Sequence, residues 1–382
     1  MKDYIFLMKI IADDNIPFLK GALEPYAEVS YFPASMITSQ TIKDADALIV
    51  RSRTRCDRNL LAGSSVRFIA TTTIGFDHIS TEYCDLKGIN WVNAPGCNSG
   101  SVMQYVAAAL AHLSEKYQFV FKNKTIGIVG VGNVGLKVAR LASVLGMKVL
   151  LNDPPRERKE GKKGFVSLEK MIKNSDIITF HVPLNKSGID KTWHFFDKKF
   201  FEQIKPGTMI INTSRGEVLR SSVLKNGLNS KKIRAAVIDV WENEPDIDLE
   251  LLNLVDIGTP HVAGYAVDGK ANATAMAVQS VSRFFGMGLN NWFPENIPQV
   301  TNPFIELDCQ GMSLQKITNQ TILATYDIQQ DDKKLRNNPK GFEKFRDDYP
   351  VRREFGAYRV ALQNDSGKAG IILKKIGFRT DG

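Results

Sequence analysis

The sequence contains little cysteine and no long uninterrupted apolar run. Its four cysteines stand apart at positions 56, 84, 97 and 309 without a CxxC pair, which argues against a disulfide framework or a zinc site and favours a reducing cytoplasm. No apolar stretch reaches the roughly 18 residues that a membrane-spanning helix needs. In the opening segment MKDYIFLMKIIADDN, two aspartates directly follow the apolar run and no small-residue cleavage site is present. We therefore expect a first β-strand rather than a signal peptide, and a cytoplasmic protein.

The composition indicates a globular protein of two or three domains. The chain has 382 residues, of which 43% are hydrophobic and 24% are charged. Its net charge is +9, yet the densest basic run, RERKEGKKG, contains two glutamates and two glycines and is typical of a solvated loop. The charge therefore favours a surface that attracts anionic metabolites, and we predict neither a nucleic-acid partner nor a membrane partner.

Short β-branched runs alternate with helical patterns in two blocks of the chain. We expect strands at 8–13, 46–50, 67–72 and 89–93 in the first block, and at 125–129, 147–151, 176–180, 208–212, 235–239 and 255–258 in the second. Such alternation is typical of α/β proteins, in which helices cover both faces of a parallel sheet.

The remaining segments suggest how these blocks are connected. A helix-forming stretch at 101–121 separates the two blocks, and a second long helix at about 266–287 can carry the chain back towards the first. The segment 290–303 contains three prolines and is interpreted as a linker. Beyond it we predict a third unit of α+β type, with strand-like runs at 321–328 and 357–363 and a role in assembly.

A glycine motif opens the second block. In TIGIVGVGNVGLKVARLASVLGMKVLLNDPP, the residues Gly130, Gly132 and Gly135 form GxGxxG after an apolar strand and before a helix. Glycine allows the backbone to turn tightly and to approach a pyrophosphate, which then lies on the N–H groups at the start of the helix. The strand, turn and helix context predicts a dinucleotide-binding site of the Rossmann type.

The next strand of this motif ends at Asp153, 18 residues after Gly135. A carboxylate at this point accepts hydrogen bonds from both ribose hydroxyls and repels a 2′-phosphate. We therefore predict NAD as the cofactor, while the nearby Arg156 and Arg158 leave NADP as an alternative.

Three polar side chains follow successive strands of the second block. Arg215 follows the strand in GTMIINTSRGEVL. Glu244 lies in the loop that follows the strand in AAVIDVWENEP, and His261 follows the last strand in VDIGTPHVAGY. Ligands of open α/β sheets bind where strands end. An arginine fork can hold a carboxylate, an imidazole can take a hydroxyl proton, and a carboxylate can orient that imidazole. The set predicts oxidation of a 2-hydroxy acid.

Several segments together resemble the D-isomer-specific 2-hydroxyacid dehydrogenases over nearly the whole chain. They are DADALIVRSRT, FDHIS, NAPGCN, TIGIVGVGNVG, DPPR, DVWENEP, DIGTPHVAGY and YPVRREF. The segments PGCN and VRREF are more typical of one branch, which acts on a phosphorylated 2-hydroxy acid and carries a C-terminal dimerisation domain. The resemblance implies a Rossmann-type NAD-binding domain at 101–265, a flavodoxin-like α/β substrate domain at 1–100 rejoined by the helix at 266–289, and a smaller C-terminal α+β dimerisation domain at 290–382.

The resemblance also assigns residues to the site. It implies Arg215, Glu244 and His261 as catalytic residues, with His261 as the acid and base. It implies cofactor contacts at Gly130, Gly132, Asn133, Val134, Gly135, Asp153, Val182, Asp239 and Gly264. It implies substrate contacts at Ser52, Thr73 and Tyr265, and no metal. Arg51 and Arg53 flank Ser52, and their role stays open.

We predict a homodimeric dehydrogenase that acts on a phosphorylated 2-hydroxy acid and closes a cleft between the two blocks. Two alternatives to this prediction remain open. One is another dehydrogenase of the class, such as one for 3-phosphoglycerate. The other is a nucleotide-sensing binding protein without turnover, comparable to corepressors related to the family. The presence of all three chemical groups, Arg215, Glu244 and His261, favours an enzyme.

Overall fold

Five short segments of the N-terminal part form a parallel sheet. The structure, a computed structural model, describes residues 8–380. The strands are β1 (Lys9–Asp13), β2 (Glu28–Phe32), β3 (Ala47–Val50), β4 (Phe68–Thr71) and β5 (Asn90–Val92), and the short helices α1 (Arg58–Leu61) and α2 (Thr81–Lys87) lie between them. Every residue of β3 and β4 is buried, as expected for central strands that are covered on both faces. The order β2-β1-β3-β4-β5 confirms the predicted flavodoxin-like fold.

A second parallel sheet of six strands follows the long helix α3 (Ser99–Lys116). Its strands are β6 (Thr125–Val129), β7 (Lys148–Asn152), β8 (Ile177–Phe180), β9 (Thr208–Asn212), β10 (Ile233–Ile238) and β11 (Ile257–Gly258). Its helices are α4 (Asn133–Val144), α5 (Pro154–Glu160), α6 (Leu168–Asn174), α7 (Lys198–Gln203), α8 (Ser221–Asn229) and α9 (Leu249–Leu254). The order β11-β10-β9-β8-β6-β7 confirms the predicted Rossmann-type topology. The order in which strands are added to the sheet reverses between β6 and β8, and such sheets bind ligands at this point.

The chain then returns to the first sheet through α10 (Val267–Phe285), whose Ala277, Val278 and Val281 join the core around β1 and β3. By contacts, one unit contains the described residues up to Asn98 together with Val267–Pro298. The other contains Ser99–Ala266 and the residues from Gln299 onward. The C-terminal part therefore packs on the six-stranded unit, and its status as a separate domain at 290–382 stays a prediction.

The C-terminal part contains a small parallel sheet of its own. Its strands are β12 (Phe304–Asp308), β13 (Arg359–Gln363) and β14 (Arg379–Thr380), and its helices are α11 (Leu314–Thr325), α12 (Ile328–Asn337), α13 (Phe342–Asp347) and α14 (Lys368–Ile376). The strand predicted at 357–363 is confirmed, but the strand predicted at 321–328 is wrong. The hydroxyl of Ser313 caps α11, and Ile317 and Ile322 bury one side of this helix. Within residues 8–380, no helix has the length and apolarity to cross a membrane.

Candidate active site

The glycine loop after β6 lies against the segment that follows β8. Gly130 has a φ of +84°, and a Cβ atom there would be 2.7 Å from the carbonyl oxygen of His181 and from Cγ1 of Val182. A Cβ atom on Gly135 would be 2.0 Å from the carbonyl oxygen of Gly130. Both positions therefore need glycine for packing. The loop containing Gly130 thus meets the backbone of His181 and the side chain of Val182 at the point where the strand order reverses.

The second glycine of the motif, Gly132, has a different environment. A Cβ atom on Gly132 would find no atom within 4 Å, so the space beside this residue is open. Gly132 is also the N-cap of α4, and no side chain caps the backbone of Asn133 and Val134 in the first turn. Uncapped N–H groups at a helix start favour an anion. The loop therefore fits the pyrophosphate of a dinucleotide.

Asp153 stands beside this loop at the end of β7. Its Oδ2 accepts a hydrogen bond from the backbone N–H of Val131 at 2.7 Å, and its Oδ1 accepts one from the N–H of Arg156 at 3.0 Å. The carboxylate is thus fixed next to the glycine loop and retains lone pairs for the hydroxyls of a ribose.

Arg156 and Arg158, the two arginines that left NADP as an alternative cofactor, have acidic partners. Arg156 donates to Glu160 through Nε at 2.7 Å and through Nη2 at 2.6 Å. Arg158 forms an ion pair with Asp190. Their engagement with carboxylates favours NAD over NADP, because a 2′-phosphate has to compete for these guanidiniums.

Replacing Gly132 with alanine is expected to raise the KM for NAD by about tenfold or more, because the methyl group fills space that the pyrophosphate needs. The φ of −75° and the open surroundings suit alanine, so thermal unfolding should stay at the wild-type temperature. Initial rates at varied NAD, together with a melting curve, check both points. Gly135→Ala is the matched control and should lower the melting temperature, because its Cβ atom collides with backbone. An unchanged KM in Gly132→Ala contradicts the placement of the pyrophosphate.

His261 and Glu244 form a direct pair. The ring Nδ1 of His261 lies 2.7 Å from Oε2 of Glu244, and the other carboxylate oxygen accepts the backbone N–H of Trp241 at 2.8 Å. The side chains are 31% and 21% exposed, so the pair is sheltered and still reachable. Because Nδ1 is engaged by the carboxylate, Nε2 is the ring nitrogen that remains for a substrate. The arrangement suits general acid–base chemistry.

Trp241 connects the three loops that carry the predicted catalytic residues. Its indole N–H donates to the carbonyl oxygen of Thr259 at 2.9 Å, and its backbone N–H holds Glu244. A Cβ atom on Gly216 would lie 1.9 Å from the carbonyl carbon of Trp241, so the backbone next to Arg215 packs directly on this residue. The guanidinium of Arg215 donates from Nη1 to the carbonyl oxygen of Ser214 at 2.7 Å. Sequence reasoning missed Trp241, because a buried tryptophan carries no signal of its own.

Asp239 follows β10 and supports the segment that contains His261. Its carboxylate is 1% exposed and accepts the hydroxyl of Thr259 at 2.6 Å and the N–H groups of Val262 at 2.8 Å and Ala263 at 3.0 Å. Burial raises the pKa of Asp239, and the charge of His261 and these hydrogen bonds oppose the rise. The N–H of His261 donates to the carbonyl oxygen of Asp239 at 2.7 Å, with a φ of +57° at His261. A non-glycine residue in this left-handed conformation is uncommon, and His194 shares it with a φ of +52°.

The other four histidines differ from His261. Burial lowers the pKa of His181 to about 3, and burial also lowers the pKa of His78 and His112. These rings stay neutral near neutral pH. His194 instead forms a second histidine–glutamate pair, in which its Nε2 lies 2.7 Å from Oε1 of Glu242, and sequence reasoning did not find this pair.

Gly264 and Tyr265 lie on the loop that follows His261, in the six-stranded unit. The ring of Tyr265 packs edge-on against Tyr349 with centroids 5.7 Å apart, and the guanidinium of Arg346 lies 5.6 Å from the Tyr265 centroid. These neighbours come from the C-terminal part of the chain. Tyr265 stays a predicted substrate contact.

Ser52 and Thr73 belong to the N-terminal unit, where they follow β3 and β4. Ser52 is exposed in a turn. The hydroxyl of Thr73 donates to the carbonyl oxygen of Gly75 at 2.8 Å. Arg51 donates to the carbonyl oxygen of Asn15 at 3.4 Å. The roles of Ser52 and Thr73 in binding substrate stay predictions, and the role of Arg51 stays open.

Metal-binding side chains do not converge in the part of the chain that the structure describes. Among residues 8–380, no group of three or more histidine, cysteine, aspartate or glutamate side chains is placed to hold an ion. Among residues 8–380, the four cysteines are buried and form no disulfide bond.

Comparisons with known proteins match two parts of the chain. A model described as "D-isomer specific 2-hydroxyacid dehydrogenase, NAD binding domain" matches residues 104–263, and one described as a domain of unknown function matches residues 299–377. An erythronate-4-phosphate dehydrogenase of Bacteroides fragilis is 51% identical over 356 residues, which cover 93% of this chain and 99% of that protein. One of Escherichia coli O127:H6 is 38% identical over 374 residues, which cover 97% and 98%. The solved D-lactate dehydrogenase of Aquifex aeolicus, complexed with NAD and lactic acid, aligns with a TM-score of 0.60 and 25% identity over 74% of this chain and 96% of that chain.

Proposed function

The chain belongs to the erythronate-4-phosphate dehydrogenases, within the D-isomer-specific 2-hydroxyacid dehydrogenase family, and we propose that it oxidises 4-phospho-D-erythronate to 2-oxo-3-hydroxy-4-phosphobutanoate. It is an NAD-dependent dehydrogenase, and the predicted cofactor NAD is confirmed. We also propose that this reaction belongs to the biosynthesis of pyridoxal 5′-phosphate, as the family resemblance implies.

Arg215 binds the carboxylate of the 2-hydroxy acid in this proposal. A planar guanidinium forms two parallel hydrogen bonds with a carboxylate, which fixes the position of the neighbouring C2 atom. The same cation polarises the oxygen on C2 as this oxygen becomes a carbonyl. The packing of Gly216 on Trp241 supports this role, because it ties the backbone beside Arg215 to the loop that holds Glu244.

His261 takes the proton of the C2 hydroxyl through Nε2. Glu244 holds Nδ1 at 2.7 Å, which fixes the ring orientation and stabilises the imidazolium that forms. NAD, when bound, supplies the acceptor for the hydride from C2. The C2 atom thus loses one hydride, its oxygen loses one proton to His261, and a 2-oxo acid results.

The hydrogen bond between Glu244 and His261 is the observation that carries this proposal. A nucleotide-sensing protein without turnover has no need for a sheltered imidazole whose second nitrogen remains available. The two groups arise from the loops after β10 and β11, and the carbonyl oxygen of Asp239 accepts the backbone N–H of His261. The geometry therefore supports an enzyme over a binding protein.

A panel of four acids tests the substrate. Initial rates of NADH formation are compared for 4-phosphoerythronate, erythronate, 3-phosphoglycerate and glycerate, which differ in the phosphate and in chain length. We expect kcat/KM for 4-phosphoerythronate to exceed that for the other three acids by at least about 100-fold. A site built to bind a phosphate rejects an acid that lacks it, because the polar groups of the site are then left unpaired. A single-turnover measurement with excess enzyme and mass detection of the product removes any limit from NADH release. A preference for an unphosphorylated acid, or for 3-phosphoglycerate, contradicts the proposal.

The proposal also includes binding of the substrate by Ser52, Thr73 and Tyr265, and a homodimer formed through the C-terminal part. Four large apolar side chains of that part are exposed on a single chain, which supports an interface there. They are Phe304, Leu314, Val351 and Ile371.

A further inference from the structure

The backbone that follows His261 is held from two sides. On one side, the N–H groups of Val262 and Ala263 donate to the buried carboxylate of Asp239. On the other side, the carbonyl oxygens of the same two residues accept hydrogen bonds from Nη2 of Arg352, at 3.1 Å and 2.5 Å. Two opposite charges therefore fix the peptide units next to the acid–base histidine.

Arg352 reaches this segment from the C-terminal part of the chain. It is 4% exposed, and its guanidinium lies 4.4 Å from the ring centroid of Tyr326 and 5.6 Å from that of Tyr349. The hydroxyls of both tyrosines donate to Oδ2 of Asp331, at 2.8 Å and 2.7 Å. The two rings and the carboxylate hold the plane of the guanidinium in one orientation.

Burying a cation costs desolvation free energy unless neighbouring charges and hydrogen bonds offset that cost. Burial acts to lower the pKa of Arg352, but Tyr349, Tyr326, Asp331 and Asp239 outweigh it, so the pKa is raised and the group stays charged. Its Nε is buried and has no hydrogen-bond partner within residues 8–380. The hydrogen bonds of Arg352 to protein carbonyls are thus concentrated on Val262 and Ala263, one and two residues after His261.

We propose that Arg352 is a positioning residue for the dehydrogenase reaction, through which the C-terminal part of the chain sets the placement of His261 and Asp239. Arg352 touches neither reacting group and acts only through the backbone of residues 262 and 263. The inference uses the proposed roles of His261 and Asp239, and it does not depend on which 2-hydroxy acid is the substrate. It gives the C-terminal part a function within a single chain, beside its proposed role in assembly.

Arg336 offers a matched control. It also lies in the C-terminal part, and it donates to the carbonyl oxygens of Leu252 and Val255 while bound to Asp332. It thus joins the same two parts of the chain by the same kind of hydrogen bond, but at α9 instead of at the segment after His261.

The test compares Arg352→Gln, Arg352→Lys and Arg336→Gln in the full-length holoenzyme. We expect Arg352→Gln to lower kcat by about 10- to 100-fold with the KM for the hydroxy acid changed less than about threefold, because Arg215 is untouched and a small displacement of a catalytic group has effects of this size. Arg352→Lys keeps the charge without the fork and should fall between Arg352→Gln and the wild type. Arg336→Gln should keep kcat within about twofold of the wild type.

Two further readouts separate positioning from folding. Melting curves and titration with NADH, followed by its fluorescence, report whether each variant is folded and binds cofactor. A wild-type kcat in Arg352→Gln, or an equal loss of kcat in Arg336→Gln, overturns the proposal. If Arg352→Gln does not fold, Arg352→Lys decides, and a kcat within about twofold of the wild type overturns the proposal. Rates are measured with whichever acid the wild type oxidises, so a wild type that is inactive on 4-phosphoerythronate refutes the substrate alone.

Discussion

Replacing His261 with asparagine is expected to lower kcat by about 10³-fold, because asparagine fills similar space and cannot take the hydroxyl proton. The amide can still accept or donate a hydrogen bond towards Glu244, so the loop after β11 should keep its conformation. The KM for the hydroxy acid should change little, since Arg215 carries the binding of the carboxylate. Initial rates of NADH formation at saturating NAD give both constants.

His194→Asn is the control for this experiment. His194 forms a pair with Glu242 at the same 2.7 Å distance, is 17% exposed, and lies in the same unit of the chain. Loss of a partly buried histidine–glutamate pair is therefore common to both variants, and only His261 lies beside Asp239. We expect His194→Asn to retain kcat within about threefold. Similar losses of kcat in both variants contradict the assignment of His261.

Replacing Arg215 with glutamine is expected to lower kcat/KM by about 10³-fold, because the fork-shaped pair with the substrate carboxylate is lost together with the charge beside C2. Both KM and kcat should be affected, since the cation binds the ground state and also polarises the reacting oxygen. Arg215→Lys should recover part of the loss, because lysine restores a point charge without two parallel donors. Full kinetics at varied acid concentration measure the two effects.

Arg220→Gln serves as the comparison for Arg215. Arg220 is exposed and lies five residues further along the chain, at the N-cap of α8. Removing its charge changes the net charge of the protein by the same amount and should leave kcat/KM within about twofold. An unchanged KM in Arg215→Gln contradicts the role of Arg215 in binding the carboxylate.

Local signals in the sequence were sufficient for the cofactor loop and the strands around it. The strand β6 is directly followed by glycines whose spacing suits a strand–turn–helix. The strand β6, the loop and α4 therefore lie where the pattern predicts them. Arg215, Glu244 and His261 follow strand ends, and the carboxyl ends of parallel strands share one edge of a sheet. That their three loops meet was therefore predictable from the order of the strands along the chain.

Features that depend on distant contacts were not predictable. The edge strand β2 reads EVSYF and is only partly buried, so it lacks the continuous apolar pattern of β3 and β4. Trp241 connects three loops through its backbone and its indole, and nothing in the letters DVWENEP indicates those partners. Arg352 meets Val262 across 90 positions of the chain. The sequence motif YPVRREF marked this region as typical of the family branch without indicating what Arg352 contacts.

The most direct test of the central claim, that Glu244 acts through His261, is a double-mutant cycle of Glu244→Gln and His261→Asn on kcat. We expect Glu244→Gln alone to lower kcat by about 10- to 30-fold, since the imidazolium loses its charged partner. The double variant should be no slower than His261→Asn alone, because without the imidazole the carboxylate has nothing to orient. Losses that multiply in the double variant would mean that the two groups act independently, and the proposed acid–base pair would be wrong.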